Sequence, residues 1–167
     1  MKKIGIIGTG YVGLVSGAGI SDFGHKVICA DIDKEKIKEI KKGNILIFEP
    51  GLKEIIDRNV KSQRLSFSSN IENTIKESDI LFIAVGTPES ASGKADLTYV
   101  ENAALKIAQN LNSYKIICTK STVPVGTGKK IKEIINKNKP SAVLFDYVSN
   151  PEFLREGSAV KDFLWPD

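Results

Sequence analysis

Histidine is almost missing from this chain. There is one in 167 residues, His25, and it follows Gly24 just before an apolar run, the place of a turn residue and not of a catalytic base. Cysteine is nearly as scarce, with Cys29 and Cys118 each inside an apolar stretch. That placement provides neither a disulfide framework nor metal-ligand spacing, so no metal is expected. A free cysteine in such a run reads as a small buried hydrophobe. No apolar run approaches the roughly 20 residues that a membrane-crossing helix requires. The opening Met1-Lys2-Lys3-Ile4-Gly5 enters a strand pattern directly, without a signal-peptide arrangement, so a reducing, cytoplasmic compartment is expected. Internal repeats, low-complexity tracts and interdomain linkers are not seen. No sign of charge dominates either: 24 Lys and Arg stand against 20 Asp and Glu, a net charge of +4. The lysines gather on helical stretches such as 34–42 and 129–139, as solvated faces do. No basic run is interleaved with aromatics, so nucleic acid is not an expected partner.

What is present is a regular alternation of strand and helix. Apolar runs at 3–7, 27–30, 65–67, 80–85, 115–118 and 142–148 read as six strands. Helical patterns at 11–23, 34–42, 52–59, 71–76, 99–111 and 126–138 separate them, with Asp33 as an N-cap and Asp96 or Thr98 near another. Glu49-Pro50-Gly51 is a turn, and 89–95 is a surface loop rich in Ser, Gly and Ala. Near-continuous apolar strands imply a parallel sheet covered on both faces. Six of them match a doubly wound parallel α/β sheet, the Rossmann dinucleotide fold, as one domain over 1–167. A chain of this length buries roughly 70% of its unfolded surface, enough for a core without staples. No closing helix is predicted after the sixth strand, and the end at Trp165-Pro166-Asp167 reads as a cut within a longer protein.

Gly8-Thr9-Gly10-Tyr11-Val12-Gly13 is a G-x-G-x-x-G sextet lying between the first strand and the first helix. Gly8 permits the tight turn, Gly10 lets backbone approach a pyrophosphate, and Gly13 lets helix pack on strand. The free amides and the dipole of the helix start favour a diphosphate there. Asp31 closes the second strand at about the 20-residue offset expected of a ribose-binding acid. A carboxylate accepts from ribose hydroxyls and repels a 2′-phosphate, which favours NAD over NADP, although nearby Lys36 would tolerate a phosphate. Ligands of open parallel sheets sit beyond the carboxyl ends of the strands. Val85-Gly86-Thr87-Pro88 and Ser121-Thr122-Val123-Pro124 lie there, and their small and hydroxyl side chains suit a nicotinamide and its ribose.

The sextet with Leu14-Val15, Phe48-Glu49-Pro50-Gly51-Leu52, Val85-Gly86-Thr87-Pro88, 120–127 (Lys-Ser-Thr-Val-Pro-Val-Gly-Thr) and 150–159 (Asn-Pro-Glu-Phe-Leu-Arg-Glu-Gly-Ser-Ala) together resemble the UDP-glucose/GDP-mannose dehydrogenase family, across essentially the whole chain. The last two segments are the most specific. The resemblance implies oxidation of a nucleotide-sugar primary alcohol to a carboxylate with two NAD per turnover. A cysteine nucleophile traps the aldehyde as a thiohemiacetal, and the thioester formed next is hydrolysed. It implies that Thr122 positions a water or substrate oxygen and that Glu152 acts as general base or orients the water. Tyr11, Val12, Gly13 and Ser121 would join the cofactor site, with Lys36 beside Asp31 at the adenosine ribose. Glu156 would reach the cofactor near the nicotinamide, and Glu152, Phe153, Leu154, Arg155 and Glu156 would line the UDP-sugar site. Glu49-Pro50-Gly51 would shape a loop near the reacting atoms.

The family's nucleophilic cysteine, its charge-stabilising lysine and asparagine, its connecting helix and its second nucleotide-binding domain find no counterpart in this sequence. Cys29 and Cys118 do not match the nucleophile. The 167 residues alone are therefore expected to bind NAD without oxidising a nucleotide sugar. A homodimer is expected of the full-length protein. Two alternatives stay open: a non-catalytic NAD-binding or sensing module, and a domain of a 6-phosphogluconate-type or hydroxyacid dehydrogenase. So does the sugar, among UDP-glucose, UDP-N-acetylhexosamines and GDP-mannose.

Overall fold

The structure, a computed structural model, describes residues 1–166, so the predicted boundary residue Asp167 lies outside the described residues. The elements run β1 (Lys3–Ile7), α1 (Tyr11–Asp22), β2 (Lys26–Ala30), α2 (Lys34–Lys41), α3 (Leu52–Lys61), β3 (Leu65–Ser68), α4 (Ile71–Glu77), β4 (Ile80–Ile83), α5 (Thr98–Asn110), β5 (Lys115–Thr119), α6 (Thr127–Asn138), β6 (Phe145–Ser149) and α7 (Ala159–Leu164). The strands form one sheet in the order β3-β2-β1-β4-β5-β6, and every neighbouring pair is parallel. The chain reverses direction across the sheet between β1 and β4, the point where such sheets open a ligand crevice.

Apolar side chains cover both faces. Ile4, Ile6, Val27 and Cys29 pack with Leu14, Val15 and Ala18 of α1 and with α2 and α3 on one side. Ile7, Leu81, Ile83 and Ile117 pack with α4, α5 and α6 on the other. Helix α2 buries Ile37 and Ile40, and α6 buries Ile131 and Ile135; their lysines are exposed as the spacing predicts, apart from Lys36, which turns to Asp31. Asp33 caps α2 by accepting from the Lys36 amide.

Three departures have identifiable causes. The predicted fourth strand ran to Val85, but β4 ends at Ile83, whose carbonyl is taken by the amides of Lys120 and Ser121. The predicted sixth strand began at Ala142. Pro140 instead starts a turn closed by the Val143 amide, and β6 starts at Phe145. A closing helix does exist: α7 packs on α1, where Phe163 lies against Gly19 so tightly that a Cβ there would collide with the ring. Six residues are too short to hold helix by themselves. Tertiary burial of Ala159 and Phe163 supplies what local propensity does not.

Candidate dinucleotide and substrate site

The turn from β1 into α1 sits at the carboxyl edge of the sheet. Gly8 has φ +105°, a left-handed conformation, and a Cβ there would strike the carbonyl of Ala84. A Cβ on Gly13 would strike the carbonyl of Gly8, so helix and turn touch backbone to backbone. Gly10, by contrast, has nothing within 4 Å of its Cβ position: that space faces the cleft. No acidic side chain lies in the first turn of α1, whose leading amides have no partner within the helix. The observed space and donors fit a diphosphate.

Asp31 follows β2. Its Oδ2 accepts from the Thr9 amide (2.8 Å), the Thr9 hydroxyl (2.7 Å) and Lys36 Nζ (3.3 Å), while Oδ1 accepts from the Asp33 amide (3.1 Å). Burial pushes its pKa up, but these hydrogen bonds and the Lys36 ammonium outweigh burial and hold it below the usual value, so it stays an anion. The acid at the strand end thus does two things: it ties down the glycine turn, and it faces a cavity of about 520 Å³ whose lining includes Ile32, Lys36, Val85, Tyr99 and Lys106. That volume lies within the range of small-molecule sites and suits the adenosine half of a dinucleotide.

The predicted site residues divide into two groups. Gly8, Gly10, Asp31, Lys36, Val85 and Gly86 line this cavity. The others lie along the same edge outside it. The loops after β4 and β5 are laced together: Ser121 Oγ donates to the Val85 carbonyl (2.7 Å), and Thr87 Oγ1 donates to the Thr122 carbonyl (3.0 Å). Pro88 and Thr122 are exposed on these loops. Tyr11 and Val12 begin α1 and are partly buried. Glu152 follows β6, and its Oε2 accepts from the Leu154 amide (2.6 Å). Phe153 is exposed, whereas Leu154 turns toward the core. Arg155 forks onto Asp162 of α7 with bonds of 2.6 and 3.0 Å. Glu156 is exposed; the Tyr11 hydroxyl is kept protonated first by burial, then by its hydrogen bond to the Glu49 carboxylate, with the Glu156 charge a smaller contribution.

Two groups have surroundings that the linear chain does not signal. Lys120 is buried at the end of β5, donates to Asn150 Oδ1 (3.3 Å) and lies over the Phe163 ring. Burial lowers its pKa, opposed by the nearby Glu152 carboxylate. Glu49 is 5% exposed and accepts from the Tyr11 hydroxyl and from the amides of Gly157 and Ala159. The sequence reads there only as a turn, which the family resemblance implies lies near the site; nothing in it signals those three donors. Both cysteines are buried. Burial pushes the Cys29 thiol up to about 12 and raises Cys118 as well, the opposite of an activated nucleophile. Among the described residues no group of three or more His, Cys, Asp or Glu side chains could hold a metal, and no helix is long and apolar enough to cross a membrane.

A parallel sheet that opens through a glycine turn onto a helix start, with an anion at the end of its second strand, defines a dinucleotide-binding domain of the Rossmann class. Residues 2–167 match the model of the UDP-glucose/GDP-mannose dehydrogenase family, NAD binding domain. The chain belongs to that family. UDP-glucose 6-dehydrogenase TuaD of Bacillus subtilis is 57% identical over 162 residues, covering 97% of this chain and 35% of its own length. UDP-glucose 6-dehydrogenase of Rhizobium meliloti is 53% identical over 99% of this chain and 38% of its own length. Among solved structures, a UDP-glucose dehydrogenase from the hyperthermophilic archaeon Pyrobaculum islandicum superposes with a TM-score of 0.95 at 39% identity, over all of this chain and 39% of that one. A ternary complex of GDP-mannose dehydrogenase from Pseudomonas aeruginosa superposes at 0.90 with 35% identity, over 98% of this chain and 38% of that one. The chain thus spans little more than a third of the length of these relatives.

Proposed function

We propose that residues 1–167 act as the cofactor-binding unit of an NAD-dependent UDP-sugar 6-dehydrogenase, oxidising the sugar's primary alcohol to the uronate in the cytoplasm of the cell, as part of a homodimer. The observation that carries this reading is the glycine turn held by the Asp31 carboxylate at the cavity mouth, in a chain 57% identical to a UDP-glucose 6-dehydrogenase. NAD, when bound, supplies the hydride acceptor. The chain's own residues bind and orient it. The α1 amides take the diphosphate, Asp31 accepts from the adenosine ribose, and Lys36 neutralises part of that acid's charge. The laced loops of Ser121, Thr122 and Thr87 floor the nicotinamide half. Thr122 positions a substrate oxygen or water, Glu152 acts as general base or orients the water, and 153–156 line the sugar nucleotide. The product, an activated sugar acid, is suited to glycosyl transfer into a polysaccharide.

Neither cysteine suits nucleophilic catalysis, so these 167 residues bind the cofactor without completing the oxidation. Parallel calorimetric titrations with NAD and NADP test the reading. Saturable NAD binding with weaker NADP binding is expected, with no turnover of UDP-glucose. Preference for NADP, or turnover by this chain alone, would overturn it.

A further inference from the structure

Glu49 and residues 157–159 are more than one hundred positions apart in sequence, yet one carboxylate joins them. Its Oε2 accepts from Tyr11 Oη (2.6 Å) and from the Gly157 amide (2.8 Å), and its Oε1 accepts from the Ala159 amide (2.8 Å). The Tyr11 hydroxyl also lies 3.4 Å from the Arg155 carbonyl. The backbone that carries the carboxylate is also held, because the Glu49 carbonyl accepts from the amide of Leu52, a fully buried residue that opens α3. A buried carboxylate is costly unless donors surround it. Burial raises the pKa of Glu49, but the Tyr11 hydroxyl and the backbone amides outweigh burial and keep the group ionised. Three separate stretches of chain therefore meet at one anion: the helix start behind the glycine turn, the turn before α3, and the segment after β6.

We propose that Glu49 is a positioning residue that clamps the 150–157 segment over the start of α1 and so holds Glu156 against the nicotinamide half of NAD. The proposal rests on the cofactor reading above. Tyr11 lies at the first position of α1, next to the amides that would face the diphosphate, and Gly157 directly follows Glu156. When the carboxylate grips both, the distance between diphosphate and Glu156 is set by one rigid group. Without it, the segment keeps its fork from Arg155 to Asp162 but loses its tie to the cofactor turn.

The test uses Glu49→Gln, which keeps shape but replaces one acceptor oxygen by a donor and removes the charge. Amide hydrogen exchange at Gly157 and Ala159 is measured against the amides of β1 and β4, with no ligand present. Calorimetry then compares NAD with ADP-ribose, which lacks only the nicotinamide. Loss of hydrogen bonds to a charged acceptor predicts that protection at Gly157 and Ala159 falls at least about tenfold while the strand amides are unchanged. NAD affinity falls roughly three- to tenfold, as expected for one misplaced polar contact, and ADP-ribose affinity does not move. Tyr11→Phe, which deletes one donor and leaves two, shifts the same quantities in the same direction by less. Unchanged protection at Gly157 and Ala159 in both variants overturns the clamp. Equal weakening of NAD and ADP-ribose overturns the positioning role in favour of a merely structural one. A wild-type chain that binds neither ligand overturns the cofactor reading instead, and the ligand-free exchange result then judges the clamp by itself.

Discussion

Replacing Asp31 by alanine should damage the turn and the ligand site together, and the two losses can be separated. Thr9 is fully buried, and its amide and hydroxyl both end on Asp31 Oδ2. Removing the carboxylate leaves a buried N–H without an acceptor, a cost of about 1–3 kcal/mol. The half-buried Lys36 pair adds less than about 1 kcal/mol. The sum, about 1–4 kcal/mol, lowers Tm by roughly 2–16 °C for a domain of this size. Losing hydrogen bonds from ribose hydroxyls to a charged acceptor removes a further 1.5–3 kcal/mol or so of binding, about ten- to a hundredfold in NAD affinity. Asp31→Asn separates the effects. Its amide oxygen still accepts from Thr9, so Tm falls by less than in the alanine variant. The lost charge weakens NAD and relieves repulsion of a 2′-phosphate, narrowing the gap to NADP. Differential scanning calorimetry and parallel NAD and NADP titrations read both quantities. An alanine variant that melts and binds NAD as the wild type does would refute the double role assigned to Asp31.

Gly13→Ala drives a methyl group into the Gly8 carbonyl, so helix and turn must separate; NAD binding measured by calorimetry should be lost while far-ultraviolet circular dichroism persists. Lys115 is 1% exposed, and its ammonium donates to the carbonyls of Ser78 (2.6 Å) and Lys76 (3.2 Å) where α4 ends. Lys115→Met strands those acceptors. Thermal melts should show a loss of about 1–3 kcal/mol with NAD affinity retained, and an unchanged Tm would show that water replaces the ammonium without cost. Asp31 and Glu49 have folded pKa values below their unfolded ones. Their stabilisation is complete above the unfolded carboxylate range of about 4 and is lost as pH falls through the lowered folded values. Melting temperatures should therefore hold from pH 7 to about 5 and decline below about 4.

Much of this molecule is local in origin and was legible in the linear chain. The six apolar runs specify a parallel sheet because strands covered on both faces need no polar alternation. Gly8, Gly10 and Gly13 announce a turn between strand and helix because their spacing answers three separate steric demands, and Asp31 announces an acid at the end of β2. The spacing of Ile131 and Ile135 sets the inner face of α6 and sends its lysines outward. Tertiary structure decided what depends on partners far away in sequence. It buried Lys115 and Lys120 in a chain whose other lysines read as solvated, because carbonyls of α4 and Asn150 were brought to meet them. It made α7 from a stretch with no helical signal of its own, by seating Phe163 on Gly19. It converted Asp31 from a bare ribose acceptor into the anchor of the glycine turn, and Glu49 from a turn residue into the meeting point of three segments. The physical reason is common to all of these. Period and propensity act between neighbours along the chain, whereas desolvation and hydrogen bonding of a buried charge are settled only by the groups that folding brings around it.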